Sequence, residues 1–412
     1  MKRRIVITGM GVVSPVGCTI DTFWKRISEG QSGIRKIQSF DASVFYSQIA
    51  GELTEFDVDQ FVPKKEQRRM DPYCHYAIAA AKLATTDGGL DMSVEDPNRV
   101  GVVVGSGVGG LRTIETQYKV LMEKGADRCS PFLIPMMIAN MASGNIAIEL
   151  NMKGPNYGTV SACATALHAI GDSMRIIERG DADVMLAGGA EAAVCTLGFA
   201  GFCALRALSA RNDAPQKASR PFDADRDGFV MSDGAAIMLL EEYEHAKKRG
   251  AKIYCEAAGF GMTCDAYHMT APTEGGEGAA RAMKLAMADA GVTPDDVDYI
   301  NAHGTSTSLN DAAETGAIKL ALGESRARKV MVSSSKSMTG HLLGAAGGIE
   351  TAVCALAIKH GVVPPTINYE KQDPVCDLDY VPNVARQHKV RACLNNSLGF
   401  GGHNGSLLLK EI

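Results

Sequence analysis

The chain has 412 residues, 46% of them hydrophobic and 22% charged, a composition typical of a folded protein with a large core and unlike that of a disordered chain. This length exceeds that of a usual single-core domain, so two halves sharing one interface are expected. The net charge of -5 and the pI near 6.0 argue against general nucleic-acid binding.

Cysteine usage and hydropathy bear on location. The eleven cysteines are scattered, odd in number and without a CxxC pair, which argues against a disulfide framework or zinc site and favours a reducing compartment. Residues 1–3 lead straight into an apolar run, which leaves no room for a targeting peptide. The longest apolar stretch, Ala192 to Leu205, is shorter than the roughly 20 residues of a membrane span. We therefore expect a cytoplasmic protein without a membrane partner.

The first predicted element is a buried strand from Arg4 to Thr8, and an analogous run from Lys252 to Gly261 opens the second part of the chain. The internal repeat suggested by these two runs is too faint to assert from the residues. Between them lies a dense basic cluster, formed by Lys64, Lys65, Arg68 and Arg69. Most charge runs of this kind are solvated helix faces.

A glycine-rich run, GSGVGG, follows a predicted strand from Arg99 to Val104 and matches G-x-G-x-x-G at Gly105, Gly107 and Gly110. A dinucleotide-binding unit would need a helix, a second strand and an acidic residue about 20 positions on. The predicted helix, Leu111 to Glu123, leads instead into GADRCSPFLIP, with two prolines where that strand should run. This context disfavours an oxidoreductase.

Cys163 is the best candidate nucleophile. It follows a short β-like run, Tyr157 to Ser161, and precedes a helix that is predicted from the spacing of its apolar residues and from Gly180 after it. The positive end of a helix favours a thiolate, and small residues at the entry would display the thiol at a strand-to-helix elbow. The competing interpretation is a buried structural cysteine.

Two histidines occupy comparable places further along the chain. His303 follows a predicted buried strand, Val297 to Ala302, and precedes four hydroxyl residues. His341 follows a shorter strand-like run, Val330 to Ser333, and a polar loop, and precedes a helix that runs towards Gly361. A lone histidine in such a loop is more often a surface or capping residue, but strand ends are where α/β enzymes place chemistry. The shared context with the thiol favours a joint role.

Seven runs together resemble a known family. They are IVITGMGVVSPVG, VSACATALHAI, ADVMLAGGAEA, RPFDADRDGFV, NAHGTSTSLND, KSMTGHLLGAAGGIE and NNSLGFGGHNG, which span nearly the whole chain in family order. The chain resembles the β-ketoacyl-[acyl carrier protein] synthases, and most of all the type II enzymes of bacterial fatty acid elongation. A Cys, His, His set separates elongating condensing enzymes from initiating synthases, which have Asn as the third member, and from thiolases, which use a second Cys.

The resemblance implies an α/β thiolase fold, in which two similar halves form five alternating layers, αβαβα. We expect the first half at residues 1–250, with cap and dimerisation insertions at roughly Thr22 to Met152, and the second half at residues 251–412. Members of the family are homodimers, so a homodimer is expected.

The implied reaction is a decarboxylative Claisen condensation. Cys163 would take an acyl group from its carrier, and His303 and His341 would hydrogen-bond the enolate left when malonyl carrier loses carbon dioxide. The backbone N–H groups of Cys163 and Phe400 would form the oxyanion hole, since the glycines around Phe400 allow a close backbone approach. We expect no cofactor, because the acyl carrier protein brings its own phosphopantetheine.

The resemblance also implies supporting roles. Lys336 would pair with Glu314, although the D-x-x-E spacing of Asp311 and Glu314 at a helix start also resembles a capping box. Positions matching the pantetheine-binding, gating and acyl-pocket residues are Thr305, Thr307, Phe400, Phe202 and Val108. The competing interpretation for the last three is ordinary core packing. The basic cluster and Arg206 would dock the acidic carrier. A structural monovalent cation, seen in some relatives, would use Asn301, Glu350, Asn395 and Asn396.

Two alternatives stay open within this interpretation. A ketosynthase of a type II polyketide pathway shares the triad and differs mainly in its pocket and partner. A non-catalytic chain-length-factor subunit lacks the nucleophile, so the presence of Cys163 disfavours it. His403 stands where many relatives carry Thr, a departure near the oxyanion loop that bears on the mobility of Phe400.

Overall fold

The apolar runs of the sequence form the strands in the computed structural model, which describes residues 3–412. The strands are β1 (Ile5–Val13), β2 (Arg35–Lys36), β3 (Ile49–Ala50), β4 (Val100–Gly105), β5 (Asn156–Tyr157), β6 (Val184–Glu191), β7 (Gly234–Glu242), β8 (Cys255–Cys264), β9 (Tyr299–Asn301), β10 (Met331–Ser333), β11 (Val362–Val363), β12 (Arg386–Gln387), β13 (Ala392–Gly399) and β14 (His403–Lys410). The helices are α1 (Ile20–Ser28), α2 (Lys64–Gln67), α3 (Pro72–Gly88), α4 (Leu111–Lys124), α5 (Leu133–Met137), α6 (Met141–Leu150), α7 (Thr165–Arg179), α8 (Thr196–Ala204), α9 (Tyr243–Lys248), α10 (Glu277–Ala290), α11 (Ser308–Leu322), α12 (Glu324–Ala327), α13 (Lys336–Thr339) and α14 (Ala346–His360).

Within residues 3–412, ten strands are hydrogen-bonded in the order β10-β9-β13-β14-β8-β1-β7-β6-β4-β5. Strands β1, β7 and β6 pair antiparallel, and β6, β4 and β5 pair parallel. Strands β8, β14 and β13, followed by β9 and β10, repeat this pattern. The two sets are joined between β1 and β8 by the pairs Val6 with Glu256 and Ile7 with Cys255. The repeat that was too faint in the sequence is therefore present in the topology.

Helices separate and cover the two sets of strands. Helices α7 and α14 contact each other in the middle, α7 against β6 and β4 and α14 against β13 and β7. Helices α3 and α6 cover the outer face of the first set, and α10 with α11 covers the second. Strands β4 and β6 are buried along their whole length, as expected for parallel strands covered on both faces. The predicted five-layered αβαβα arrangement is confirmed.

Close helix-to-strand contact recurs at corresponding glycines of the two sets. A Cβ on Gly11 of β1 would lie 1.9 Å from the carbonyl oxygen of Ala80 in α3. A Cβ on Gly261 of β8 would lie 2.1 Å from the carbonyl oxygen of Ala282 in α10. Any larger residue would push the covering helix off the sheet, so both positions require glycine.

The predicted elements are present with shifted ends. Strand β1 continues to Val13, five residues beyond the predicted end at Thr8. Strand β5 ends at Tyr157, so the predicted strand from Tyr157 to Ser161 is wrong over most of its length. Residues 158–161 instead form the entry to the turn that carries Cys163. The described part of the chain contains no helix that is both long and apolar enough to span a membrane.

Candidate active site

Cys163 lies in a 3₁₀ turn, Ala162–Ala164, that leads directly into α7. Ala162 adopts a left-handed backbone with φ of 50°, so the chain turns sharply before the thiol. This is the strand-to-helix elbow that the small residues around the thiol predict, and it belongs to the first set of strands.

The two histidines come from the second set of strands. His303 follows β9, and His341 follows α13, the short helix after β10. Strands β9 and β10 are parallel neighbours, with Asn301 opposite Ser333, so the chain leaves both at the same edge. The backbone of His341 is fixed further by its N–H, which donates to the carbonyl of Val230 at 2.7 Å.

The three predicted catalytic side chains meet in one buried place. The Nε2 atom of His341 lies 3.0 Å from the Cys163 Sγ atom. The rings of His303 and His341 are nearly perpendicular, with centroids 5.3 Å apart. One atom of each of the three side chains lies within 4.8 Å of the others. The structure thus brings together residues 140 and 178 positions apart from Cys163 in the sequence.

Hydrogen bonds fix the tautomer of each histidine. The Leu343 N–H donates to His341 Nδ1 at 3.2 Å, and the Lys336 ammonium lies 3.3 Å from His303 Nδ1. A neutral ring that accepts at Nδ1 carries its proton at Nε2. Burial, reinforced by the Lys336 charge, holds the pKa of both imidazoles well below its usual range. Both rings therefore present Nε2–H donors, which suit an oxyanion; a metal ion would need lone pairs there.

The environment of the thiol departs from the sequence prediction. Burial raises the pKa of Cys163 to about 12, while the Lys336 charge and the backbone N–H of Phe400 act in the opposite direction. The carboxylates of Glu191 and Glu350 raise the pKa of Cys163 further. The prediction of a thiolate at the helix start is wrong for the resting site, because burial of the thiol raises its pKa.

Phe400 lies at the thiol through its backbone. Its N–H hydrogen-bonds the Cys163 sulfur. The loop approaches closely because a Cβ on Gly399 would lie 2.7 Å from the Ser161 carbonyl oxygen. The His403 ring lies against the same loop. A Cβ on Gly401 would lie 2.9 Å from the His403 Nε2 atom. The Phe400 N–H therefore lies at the thiol, on a loop that needs glycine at 399.

The predicted pairing of Lys336 with Glu314 is wrong. Lys336 forms a buried ion pair with Glu350 and donates to the His303 carbonyl at 2.7 Å. The two Glu314 oxygens accept the backbone N–H groups of His303 and Gly304, each at 2.8 Å. Since these bonds occupy its carboxylate, Glu314 braces the backbone that carries His303 instead of binding the lysine.

The capping-box interpretation of Asp311 and Glu314 is also wrong. Helix α11 begins at Ser308, and the side chain of its N-cap residue, Thr307, makes no capping hydrogen bond. Asp311 is buried inside the first turn and accepts the Phe222 N–H at 2.8 Å. Both carboxylates therefore hold neighbouring loops in place instead of the end of their own helix.

A cavity of about 460 Å³ opens onto the triad. Its walls include the predicted substrate-binding residues Val108, Phe202, Thr305 and Thr307, together with Phe400, predicted as the gate, and Arg206, predicted to dock the carrier. The Thr305 and Thr307 hydroxyls lie 2.9 Å apart, and Phe202 packs edge-on against Phe229. The structure therefore brings all six to one cavity, with hydroxyl groups and apolar rings both lining it.

The basic cluster lies apart from the cavity lining. All four of its side chains are exposed, and α2 is a single turn. Lys64 pairs with Asp59 at 3.1 Å, and Arg69 pairs with Glu66 at 3.5 Å. Such exposed pairs contribute little to stability, so the cluster remains a solvated cationic surface.

Three of the four residues predicted to hold a cation carry an orphaned oxygen. Among the described residues, Asn301 Oδ1, Glu350 Oε2 and Asn395 Oδ1 are buried without a hydrogen-bond partner. Asn396 differs, since its Oδ1 accepts the Ser406 hydroxyl at 2.9 Å. The Ser397 hydroxyl is orphaned like the first three. Buried oxygens without donors suit a hard cation, so Asn396 is replaced by Ser397 in the candidate set.

The sequence arguments missed Glu191, a fully buried carboxylate at the end of β6. It accepts the Ser106 hydroxyl at 2.7 Å and the N–H groups of Gly107 and Gly344 at 2.8 and 2.9 Å. Backbone N–H groups of GSGVGG that would be needed to bind a phosphate thus donate to the Glu191 carboxylate instead. The available signal was Glu191 itself, an acidic residue after seven uncharged residues in the apolar run ADVMLAGGAEA.

The chain matches the family model of the β-ketoacyl synthase N-terminal domain over residues 2–246 and that of the C-terminal domain over residues 254–370. It is 53% identical over 410 residues to the 3-oxoacyl-[acyl-carrier-protein] synthase 2 of Synechocystis sp., covering 100% of this chain and 98% of the relative. The corresponding synthase 2 of Vibrio cholerae is 53% identical over 412 residues and 100% of both chains.

Solved structures agree with these relatives. A β-ketoacyl synthase from Burkholderia phymatum superposes with a TM-score of 0.93 at 37% identity, over 100% of both chains. A type II PKS acyl-carrier protein in complex with its ketosynthase gives a TM-score of 0.93 at 36% identity, again over 100% of both chains. With two family models and full-length identity above one half, this chain belongs to the β-ketoacyl synthase family.

Proposed function

We propose that this chain is an elongating β-ketoacyl-[acyl carrier protein] synthase, an acyltransferase of fatty acid synthesis. The observation that carries the proposal is the buried thiol facing two neutral imidazoles, each with its proton at Nε2. Identity favours the fatty acid pathway, with 53% to the synthase 2 relatives against 36% to the polyketide ketosynthase.

The first step is transfer of an acyl group to Cys163. The sulfur attacks the carrier thioester carbonyl, and the N–H groups of Phe400 and Cys163 stabilise the oxyanion that forms. The carbon–sulfur bond to the phosphopantetheine breaks, and the proton of the Cys163 thiol ends on the departing sulfur. This route suits a neutral resting thiol, because the proton moves as the substrate arrives.

The second step is decarboxylation of malonyl carrier. The electron pair of the broken carbon–carbon bond moves into an enolate, whose oxygen accepts both Nε2–H groups of His303 and His341. The enolate carbon then attacks the acyl carbonyl on Cys163 and expels the sulfur. The product is a β-ketoacyl carrier that is two carbons longer. Lys336 and Glu314 support these steps by holding His303 through its ring and its backbone.

The acyl carrier protein is the proposed partner. The Thr305 and Thr307 hydroxyls would bind the phosphopantetheine arm, and Phe202 and Val108 would contact the acyl chain. Arg206 lies in the cavity lining with its guanidinium over the Tyr46 ring, 5.1 Å from the centroid. Together with the basic cluster, it would bind the acidic carrier electrostatically.

We also propose a homodimer. Strand β5 is an edge strand of the ten-stranded sheet, and exposed apolar side chains lie on it, next to it in the chain and on helices α4, α5 and α6. These are Tyr118, Met122, Ile134, Ile148, Tyr157 and Val160. Covering such a face with a second copy would remove apolar area from water and pair the open edge. Light scattering should then give twice the chain mass of 43.6 kDa.

Three smaller expectations belong to the same proposal. The division between halves at residue 250 falls between the end of α9 at Lys248 and the start of β8 at Cys255. A structural monovalent cation would be held by Asn301, Glu350, Asn395 and Ser397 and would supply positive charge to buried oxygens. A cytoplasmic location suits an enzyme with a thiol nucleophile, because that compartment keeps thiols reduced.

Intact-protein mass spectrometry tests the function. The wild type mixed with acyl carriers of graded length should gain one acyl mass, and malonyl carrier should discharge it into a β-keto product two carbons longer. Cys163→Ala should form no adduct, whereas Cys264→Ala, which removes an exposed thiol, should behave like the wild type.

Other outcomes would redirect the assignment. Wild-type protein that forms no adduct would favour a chain-length-factor subunit. An adduct extended repeatedly before release would favour a polyketide ketosynthase, the alternative suggested by the polyketide complex of the same fold.

A further inference from the structure

Glu191 links two loops that border the active site. Besides Ser106, Gly107 and Gly344, it accepts the N–H of Val108 at 3.3 Å. One of these loops follows β4 and carries Val108 into the cavity wall, and the other follows His341. Four donors on one buried carboxylate form a charge-assisted cluster, which is stronger than neutral hydrogen bonds.

The loop after β4 and the loop after His341 are packed so closely that no other hydrogen-bond acceptor fits where the Glu191 carboxylate lies. A Cβ on Gly107 would lie 2.7 Å from Glu191 Oε2. A Cβ on Gly344 would lie 2.3 Å from the Gly107 nitrogen. The carboxylate is therefore the direct link between the loops, and its loss would leave buried N–H groups without an acceptor.

The link reaches His341 through one residue. Leu343 donates its N–H to His341 Nδ1, and it does so in a left-handed backbone conformation with φ of 47°. Such a conformation is strained for leucine and persists only when its surroundings hold it. The next residue, Gly344, is held by the Glu191 carboxylate at 2.9 Å. The bond that fixes the His341 tautomer thus depends on this anchor.

We propose that Glu191 is a positioning residue, which fixes the Val108 wall of the acyl pocket and the Leu343 turn that sets the His341 tautomer in one arrangement around Cys163. This inference rests on the proposed roles of Cys163 and His341.

The charge of Glu191 has a second effect, on the pKa of the Cys163 thiol, which can be measured separately from the hydrogen bonds. An ionised Glu191 disfavours the Cys163 thiolate, and burial raises the pKa of Glu191 to about 7. Glu191 is therefore largely neutral at pH 6 and ionised at pH 9. Replacing it with glutamine should change the thiol mainly at the higher pH.

Other charges around the two groups do not reproduce this effect. Burial also raises the pKa of Glu350, the partner of Lys336, to about 7, but Glu350 is the same in Glu191→Gln and in the wild type, so its effect on the thiol cancels when the two proteins are compared. Both histidines stay neutral. Tyr73, on α3, also feels the Glu191 charge, and burial keeps its pKa far above the working range. The thiol should therefore respond to Glu191 titration near pH 7.

The test compares Glu191→Gln with the wild-type enzyme in two assays. Decarboxylation of malonyl carrier should slow at least about tenfold, since misplacement of catalytic groups by an ångström reduces rates up to about 100-fold. Iodoacetamide alkylation of Cys163 should show a variant-to-wild-type rate ratio near one at pH 6 and at least about threefold higher at pH 9. Simple loosening of the fold would raise that ratio equally at both values.

Two further variants separate the effect of the hydrogen bonds to Glu191 from the effect of its charge. Ser106→Ala removes the hydroxyl donor and keeps the carboxylate, so turnover should fall by a smaller factor while the alkylation ratio stays constant with pH. Glu191→Asp keeps the charge and shortens the reach, so turnover should fall with the same constant ratio. These variants also carry the test if Glu191→Gln does not fold, as judged by its thermal melt.

The inference would be overturned if Glu191→Gln decarboxylates malonyl carrier at the wild-type rate and its alkylation rate, relative to the wild type, does not change with pH. His341→Ala, measured alongside, separates this failure from failure of the proposed function. Full decarboxylation by His341→Ala would reject the role of that histidine, and with it the mechanism on which the Glu191 argument depends.

Discussion

At the scale of single residues, the direction of two N–H groups decides the chemistry. His303 and His341 each accept a hydrogen bond at Nδ1, so each points a proton at the reacting atoms. Their depressed pKa values keep them neutral, and a neutral ring donates without adding a competing charge. A pair of donors fits an enolate oxygen better than a pair of bases would.

This geometry predicts the effect of removing either ring. His303→Ala and His341→Ala should each reduce carbon dioxide release from malonyl carrier by about 100-fold or more, the usual loss for one oxyanion donor. His388→Ala, at an exposed site, is the control and should leave the release unchanged. Unchanged release in both active-site variants would reject the enolate role.

At the scale of elements, short connections place the reacting groups, and the glycine loop after β13 is the tightest of them. A Cβ on Gly399 would meet the Ser161 carbonyl at 2.7 Å, so alanine must displace either the Phe400 N–H or the turn before Cys163. Gly201 in α8 offers a contrast, because beyond its chain neighbours and the backbone of its own helix no described atom lies within 4 Å of its Cβ position.

Gly399→Ala should therefore reduce Cys163 acylation by about 100-fold, the loss expected when one oxyanion donor is misplaced. Overpacking should also destabilise the fold by about 1–3 kcal/mol. Gly201→Ala should keep full activity and gain about 0.5–1 kcal/mol, since alanine is the better helix former. Acylation assays quenched at set times measure the change in Cys163 acylation, and thermal melts measure the change in stability. Equal behaviour of the two variants would contradict the close-approach argument.

Ion pairs between elements act on stability instead of chemistry. Asp183, which precedes β6, binds Arg3 and Arg99, and these guanidinium groups lower its pKa to about 2. A depressed pKa contributes stability that is present above the ordinary value of 3.8 and is lost as pH falls through about 2. The partner arginines hold the chain start and the beginning of β4 against β6.

Asp183→Asn should therefore destabilise the protein by about 2 kcal/mol at pH 7, from a shift worth roughly 1.4 kcal/mol per pKa unit. The deficit should shrink as the pH falls from 4 towards 2, where the wild type also loses the charge. Urea unfolding at several pH values measures it. A deficit that stays constant down to pH 2 would show that the carboxylate charge contributes nothing.

At the scale of the whole molecule, two sets of five strands supply different parts of one site. The first set carries the proposed nucleophile, Cys163, and the second carries both histidines, so the candidate site exists only where the two sets face each other. The basic cluster lies outside this contact, on an exposed turn. A partner attracted to that surface would have its approach rate raised by charge, as is usual for electrostatic association.

Charge reversal of Lys65, Arg68 and Arg69 to glutamate should raise the KM for carrier-bound substrates about tenfold, because docking is weakened. The same enzyme should handle small thioesters normally, since the triad is untouched. Reversal of Lys248, Lys284 and Lys329, which are exposed elsewhere, makes the same net charge change and is the control. Equal KM values for the two triple variants would remove the cluster from the docking surface.

Local patterns in the sequence determined most of the elements and the candidate reacting residues. Apolar periodicity places α7, and Gly180 ends it in a left-handed conformation with φ of 82°. The family runs identify Cys163, His303 and His341, because a thiol and two imidazoles in fixed contexts are local features of the chain. The chain length of 412 residues likewise predicts two halves that share an interface.

The tertiary structure decided which buried charges pair and what state they hold. The family resemblance implied Glu314 as the partner of Lys336, and the D-x-x-E spacing suggested a cap for α11, but in the folded protein Lys336 pairs with Glu350. The same packing desolvates Cys163 and places Glu191 under the glycine loop. These outcomes depend on how groups far apart in the chain exclude water around each other. No local pattern carries that information, because desolvation and pairing are properties of the assembled core.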